Sequence, residues 1–244
     1  MTTVRLALGF TDEGTTKVKM EEGLPSPSFL MSYWYREFFD TAFPFARSWV
    51  LDSGAYSAHT SGGSVDLLEF HEYAHHKLQT DPKLREVFAL DIIGDWRKTL
   101  QATEHHWAND VPAIPTFHIG SPWSALIHMT KVYPKIAVGG LVGCPRRKKH
   151  AWLNQVFARV WPKKIHALGV LGPSDTMAFP FHSADSSSWS RNPRAFACWA
   201  SLGAVGVSVR GKKDDLSCQI NHYMRLEQQL QHRWAKEMAQ LEAL

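Results

Sequence analysis

The sequence predicts a single α/β domain built as a (β/α)8 barrel, and three observations lead there. Short apolar, β-branched stretches recur eight times along the 244 residues, each followed by a loop bearing Gly, Ser or Asp. Longer amphipathic segments fill most of the gaps, the alternation from which parallel sheets are built. Eight strands in a chain of this length suit a closed barrel better than the rival architecture, an open doubly wound sheet. No repeat of fixed period, low-complexity tract or long linker divides residues 1–244, so one domain is expected.

The elements follow in order. The apolar stretches are VRLALGF (4–10), SWVLD (48–52), VFALD (87–91), AIPTFHI (113–119), KIAVGG (135–140), KIHALGV (164–170), PFHSAD (180–185) and GAVGVSV (203–209). Residues 11–47 form a long first gap that holds a polar, Gly-containing loop and the aromatic segment FLMSYWYREFF. Residues 66–80 predict a helix capped by Asp66, and 97–108 a second. Residues 122–132 predict a third with Pro122 in its first turn, where its fixed φ is suited to helix entry. Further helices are expected over 148–161 and from Asp214 to Leu244, with at most one helical turn between 170 and 180.

Composition narrows the class. Hydrophobic residues make up 44% and charged ones 20%, the balance of a globular domain rather than of a disordered chain. No apolar run approaches the roughly 20 residues that span a bilayer. The segment MTTVRLALGF lacks the charged region and cleavage site of a secretory signal, so a cytoplasmic location is expected. Cys144, Cys198 and Cys218 are few and scattered, which suits a reducing compartment.

Polar residues gather at the strand ends, where a barrel of this type keeps its chemistry. Asp52, Asp91 and Asp185 close the second, third and seventh stretches; His118 lies near the end of the fourth, and Gly139, Gly140 and Gly169 mark the ends of the fifth and sixth. Any one of these is an ordinary turn residue, but together they outline a pocket. Three aspartates there suit two chemistries. They can hold a divalent metal, with His118 and His182 or His59 completing the shell, or divide nucleophilic, acid–base and recognition roles without a metal. No HxH or HExxH pattern falls at a strand end, and His75-His76 and His105-His106 sit on predicted helices, which favours the second.

The net charge of +4 says little until the cations are placed. Arg146, Arg147, Lys148 and Lys149 follow the fifth stretch, Arg191 and Arg194 the seventh, and Arg210, Lys212 and Lys213 the eighth. In a barrel these loops share the rim with the aspartates, an arrangement suited to a polyanion whose phosphates are held while one nucleotide enters the pocket.

The motifs LDSGAYSA (51–58), FALD (88–91), AVGGLVG (137–143), HALGVLG (166–172) and FHSADSSSW (181–189) resemble, in order and spacing, those of the tRNA-guanine transglycosylase superfamily. The short chain and the SADSSSW form resemble most the phage-type DNA-guanine transglycosylases (DpdA). The resemblance covers residues 49–191 and implies a (β/α)8 barrel that exchanges guanine for a 7-deazaguanine through a covalent glycosyl-enzyme intermediate. It casts Asp185 as nucleophile and Asp52 as general acid/base, a division that two inversions at the sugar carbon require. It assigns base recognition to Asp91, with Ser53, Gly139, Gly140, Leu141 and Gly169 around the base and Tyr56 and Leu168 sandwiching it; His118 or Ile119 stands where the family has a glutamine that contacts the base.

Two departures refine the expectation. The CxCxxC…His zinc site of the tRNA-modifying members has no counterpart here; Cys198, Cys218 and His222 could form a reduced site, but buried structural cysteines and a helical His are the favoured reading. A compact barrel without the zinc-binding insertion, needing no cofactor, points to DNA as the partner, with tRNA as the alternative. Gly143-Cys144 after GGL replaces an acidic residue suited to an aminomethyl cation, so a neutral base such as 7-cyano-7-deazaguanine is expected. If the gene belongs to a phage, the compartment is the host cytoplasm. A metal-dependent hydrolase and a non-catalytic nucleic-acid-binding subunit are the readings from other classes.

Overall fold

The computed structural model describes residues 1–8, 20–41, 46–187 and 216–243, and within these ranges the side chains of Leu8, residues 38–41, Leu216 and Cys218 are excluded. The described strands are β1 (Thr3–Leu8), β2 (Ser28–Ser32), β3 (Ser48–Asp52), β4 (Leu84–Val87), β5 (Thr116–His118), β6 (Lys135–Gly139), β7 (Lys164–Ala167) and β8 (Ser183–Ser186). They form one parallel eight-stranded sheet in the order β4-β3-β2-β1-β8-β7-β6-β5. Each strand thus lies beside its neighbours in sequence, with β8 returning to β1, the order of a TIM-barrel-like α/β fold. Among the described residues no ladder joins the edge strands β4 and β5. They meet through the bridge Phe88–Ile114, with Ala89 N–H donating to Ile114 O at 2.9 Å and Ile114 N–H to Val87 O at 2.8 Å.

One of the eight described strands, β2, lies inside the segment expected to hold only a polar loop and an aromatic stretch, and the predicted strand at 203–209 lies outside the described residues. All five residues of β2, SFLMS, are buried, so it has none of the polar/apolar alternation that marks a strand with one wet face. β4 also begins and ends earlier than expected, leaving Asp91 beyond its ladder.

The helices are α1 (Ala55–Thr60), α2 (Leu67–Thr80), α3 (Trp96–Ala108), α4 (Trp123–Val132), α5 (Arg146–Val160), α6 (Pro173–Thr176), α7 (Leu216–Arg233) and α8 (Ala235–Glu242). Asp66 and Asp95 cap α2 and α3 by accepting backbone N–H groups of the first turn. Pro122 stands one residue outside α4 instead of in its first turn, and α5 begins two residues earlier than expected. The carboxy-terminal segment is two helices divided at Trp234, whose indole N–H donates to Thr176 O at 2.9 Å. No helix among the described residues is long and apolar enough to cross a membrane.

Residues i and i+2 of a strand share a face, and this sorts the interior into two cores. Leu6, Phe29, Leu51, Phe117 and Ile136 are fully buried in the larger core, which also holds the inward residues of the helices. Burial of each such side chain contributes about 1.5–3 kcal/mol. Ala7, Leu30, Val50, Phe88, Ile114 and Ala137, with Leu168 against them, form a small separate cluster drawn only from strands and strand extensions, hence on the concave face. Two residues earlier on four of these strands stand Arg5, Glu86, Lys135 and His166, so a polar layer lies beneath the apolar one. Arg5 Nη2 lies 2.6 Å from Glu86 Oε2, and Lys135 Nζ is 2.8 Å from both Glu86 oxygens.

Candidate active site

At the carboxyl end of the sheet, β3 finishes on Asp52, whose Oδ2 accepts the Gly54 N–H at 2.8 Å. Gly54 has φ +77°, and a Cβ there would come within 2.7 Å of Trp34 Cβ and 2.8 Å of Trp34 N, so glycine is required for this turn. Ser53 is buried beside it, and Tyr56, on α1, stands 60% exposed at the mouth. The hydroxyl of Ser32, paired in register with Asp52, is buried without a hydrogen-bond partner among the described residues.

Asp91 follows β4 and meets His118 at the end of β5, with Oδ2 to Nε2 at 2.9 Å. Its Oδ1 accepts the Thr99 hydroxyl at 3.1 Å, which anchors the carboxylate to α3. Gly139 lies behind the imidazole, where a Cβ would sit 2.9 Å from His118 Nε2; Gly140 turns away with φ +72°. Leu141 is buried and Leu168 half-buried over the concave apolar cluster. The exposed Val142 leans over Gly169, its Cγ2 2.7 Å from where a Cβ would be.

Asp185, on β8, is buried. Its Oδ1 lies 3.0 Å from the Gly169 N–H and 3.1 Å from His166 Nε2. Burial is the main influence on this carboxyl and, with the Asp52 charge adding to it, outweighs the Gly169 hydrogen bond and Arg5, raising its pKa to about 7. Burial likewise pushes Asp52 up to about 6, with the Asp91 charge adding to it against the hydrogen bonds from Gly54 and Ser53. The three carboxyls therefore feel one another across one mouth. Two acids held near neutrality by desolvation are equipped to pass protons and to attack a carbon centre.

The predicted rim is only partly brought together. Arg146, Arg147 and Lys148 are exposed in the first turn of α5, on the same end of the sheet as the aspartates. Lys149 stands apart from these three: its Nζ lies 2.5 Å from Asp175 Oδ2, while His150 Nε2 is 2.7 Å from Oδ1. Asp175 is buried and needs that charge, so Lys149 is committed to the fold. Arg191, Arg194, Arg210, Lys212 and Lys213 lie outside the described residues, as do Cys198 and the side chain of Cys218. His222 is buried on α7 with its ring edge-on to Tyr223. Among the described residues no group of three or more His, Cys, Asp or Glu is disposed to hold a metal ion.

Sequence reasoning missed His166, Arg5, Ser32 and Thr99 as parts of this site. His166 and Arg5 are isolated polar residues inside β-branched runs, and that interruption is the signal that could have flagged them. An open cavity of about 500 Å3, lined by Val65, Leu67, Leu90, Ile92, Lys98 and Gln101, flanks Asp91 on its α2–α3 side. Compared with known proteins, the chain matches no family model and no curated sequence.

Proposed function

We propose that the protein is a DNA-guanine transglycosylase that exchanges guanine for a 7-deazaguanine, with 7-cyano-7-deazaguanine the favoured base. The observation that carries this reading is the convergence of Asp52, Asp91 and Asp185 at one sheet end, with Asp52 and Asp185 both held near neutral pKa. The Asp185 carboxylate attacks the anomeric carbon as the carbon–nitrogen bond breaks. The bonding pair leaves with guanine, which takes a proton from Asp52. The incoming base then gives a proton to Asp52 and its ring nitrogen displaces Asp185, restoring both carboxyls. Asp91, steadied by Thr99 and His118, receives the N–H groups of the base; Tyr56 and Leu168 supply its stacking faces.

The placement of charge supports a polyanionic substrate. Cations in the first turn of a helix oppose its dipole, so Arg146, Arg147 and Lys148 gain nothing there from helix stability and are suited to phosphates. In this reading the chain forms a closed (β/α)8 barrel without a zinc-binding insertion and works in the cytoplasm. Duplex DNA containing guanine, incubated with the protein and 7-cyano-7-deazaguanine and digested to nucleosides, is expected to release the modified deoxynucleoside. Product from tRNA alone would move the assignment to tRNA, and product from neither would overturn it.

A further inference from the structure

We infer that His166 is a positioning residue, locked in a single tautomer by a buried chain of donors so that Asp185 presents one saturated oxygen and one reactive oxygen. The inference rests on Asp185 as the nucleophile of the reading above.

The chain starts in the polar layer. Burial opposes the charge of Glu86, but Arg5 and Lys135 outweigh it and bring its pKa down to about 2, so this carboxylate is ionised. Lys135, gripped by both Glu86 oxygens, also reaches Ser183 Oγ at 3.0 Å. Burial, with the Arg5 charge, lowers Lys135 to about 7 against the pull of Glu86, so below that pH it is an ammonium. That form has donors only, so the Ser183 oxygen accepts from it and directs its single hydrogen elsewhere. His166 Nδ1 lies 2.8 Å away and is the acceptor. The imidazole is fully buried against Phe88, and burial, with the Arg5 and Lys135 charges, holds its pKa well below the ordinary value. A neutral ring whose Nδ1 accepts carries its proton on Nε2, and Nε2 faces Asp185 Oδ1 at 3.1 Å.

Once Asp185 is ionised, as the attacking form must be, the same contacts exclude the opposite tautomer. It would aim a third hydrogen at the region between Ser183 and Lys135 and turn an Nε2 lone pair toward the carboxylate, setting two acceptors against each other. With His166 and the Gly169 N–H both donating to Oδ1, that oxygen is saturated, while Oδ2 receives no donor among the described residues. The free oxygen is then the one that meets the sugar carbon. The chain fixes its direction before substrate arrives, which is the preorganisation a near-attack geometry needs.

The test uses the full chain labelled with nitrogen-15 histidine. Long-range proton–nitrogen spectra at neutral pH, with His166 assigned by its loss in His166→Gln, are expected to show an Nε2–H ring with Nδ1 unprotonated. In the exchange assay, His166→Leu is expected to lower kcat about 100-fold with KM for the base within about two-fold, the cost of a misplaced reacting group. His166→Gln, whose amide can still donate, should recover part of that loss, and the milder Ser183→Ala should fall between. An Nδ1–H ring, an imidazolium at neutral pH, or undiminished kcat in a folded His166→Leu would overturn the inference. Absence of exchange in the wild-type protein with His166 in the Nε2–H form would instead overturn the functional reading and leave the hydrogen-bond assignment standing.

Discussion

Replacing Asp185 with Asn should stabilise the protein at mildly alkaline pH and not at acid pH. The folded environment raises the Asp185 carboxyl from 3.8 to about 7, so between those values the folded state binds more protons than the unfolded state. Stability from this group is therefore fully present below the unfolded value and is lost as pH rises through the folded one. A separation of about 3 pK units, at about 1.4 kcal/mol each, puts the penalty of the charged form at up to ~4 kcal/mol near pH 8. Asparagine carries no charge and keeps an Oδ1 to accept from the Gly169 N–H and from His166, so it removes the penalty without orphaning either donor. For a chain of this length the gain corresponds to a Tm rise on the order of 10 °C near pH 8. Thermal unfolding followed by circular dichroism, wild type beside variant from about pH 4 to about pH 8, measures it, and the window is the linkage window above. The two curves should converge at the acid end. An equal or lower Tm for the variant near pH 8 would refute the claim that Asp185 is ionised against a desolvation cost.

Three further outcomes follow from the same geometry. If Asp185 must lose its proton and Asp52 must keep one, kcat/KM for base exchange should peak between about 6 and 7 and fall on both sides; a plateau continuing to alkaline pH would remove Asp52 from the acid role. Lys149→Ala leaves buried Asp175 with His150 alone and should cost about 3 kcal/mol in denaturant unfolding, whereas exposed Lys148→Ala should stay within about 0.5 kcal/mol. Replacing Arg146, Arg147 and Lys148 together by Ala should reduce the slope of log affinity for duplex DNA against log salt by about 2.7, and an unchanged slope would mean that these side chains do not meet phosphates.

What the sequence disclosed, and what it concealed, can be traced to particular residues. Asp52, Asp185 and His118 could be found because each ends, or nearly ends, an apolar stretch, and the end of a parallel strand is where side chains meet a pocket. β2 could not, because it is buried on both faces and its SFLMS run merges into the aromatic residues that follow. The role of Lys149 was hidden for a different reason. In sequence it is one of four adjacent cations, and only the fold sets it, but not its three neighbours, against the buried Asp175 on α6. The polar layer was concealed by separation: Arg5, Glu86, Lys135 and His166 are spread over more than half the chain, and each becomes intelligible only beside partners from other strands.

The junction between β4 and β5 has a consequence for how the site is put together. On one side of the sheet a full ladder joins β1 to β8; on the other, the Phe88–Ile114 bridge with its backbone hydrogen bonds, the Asp91–His118 pair and the Glu86–Lys135 pair cross the gap. The sheet thus falls into two consecutive lengths of chain, β1 to β4 and β5 to β8, divided near the exposed turn at Asn109 and Asp110. Asp52 and Asp91 belong to the first length, and His118, His166 and Asp185 to the second. Neither length holds all three carboxyls, so the candidate site is assembled only where the two lengths meet. A nick in that turn would cut the covalent link between Asp52 and Asp91 on one side and His118, His166 and Asp185 on the other.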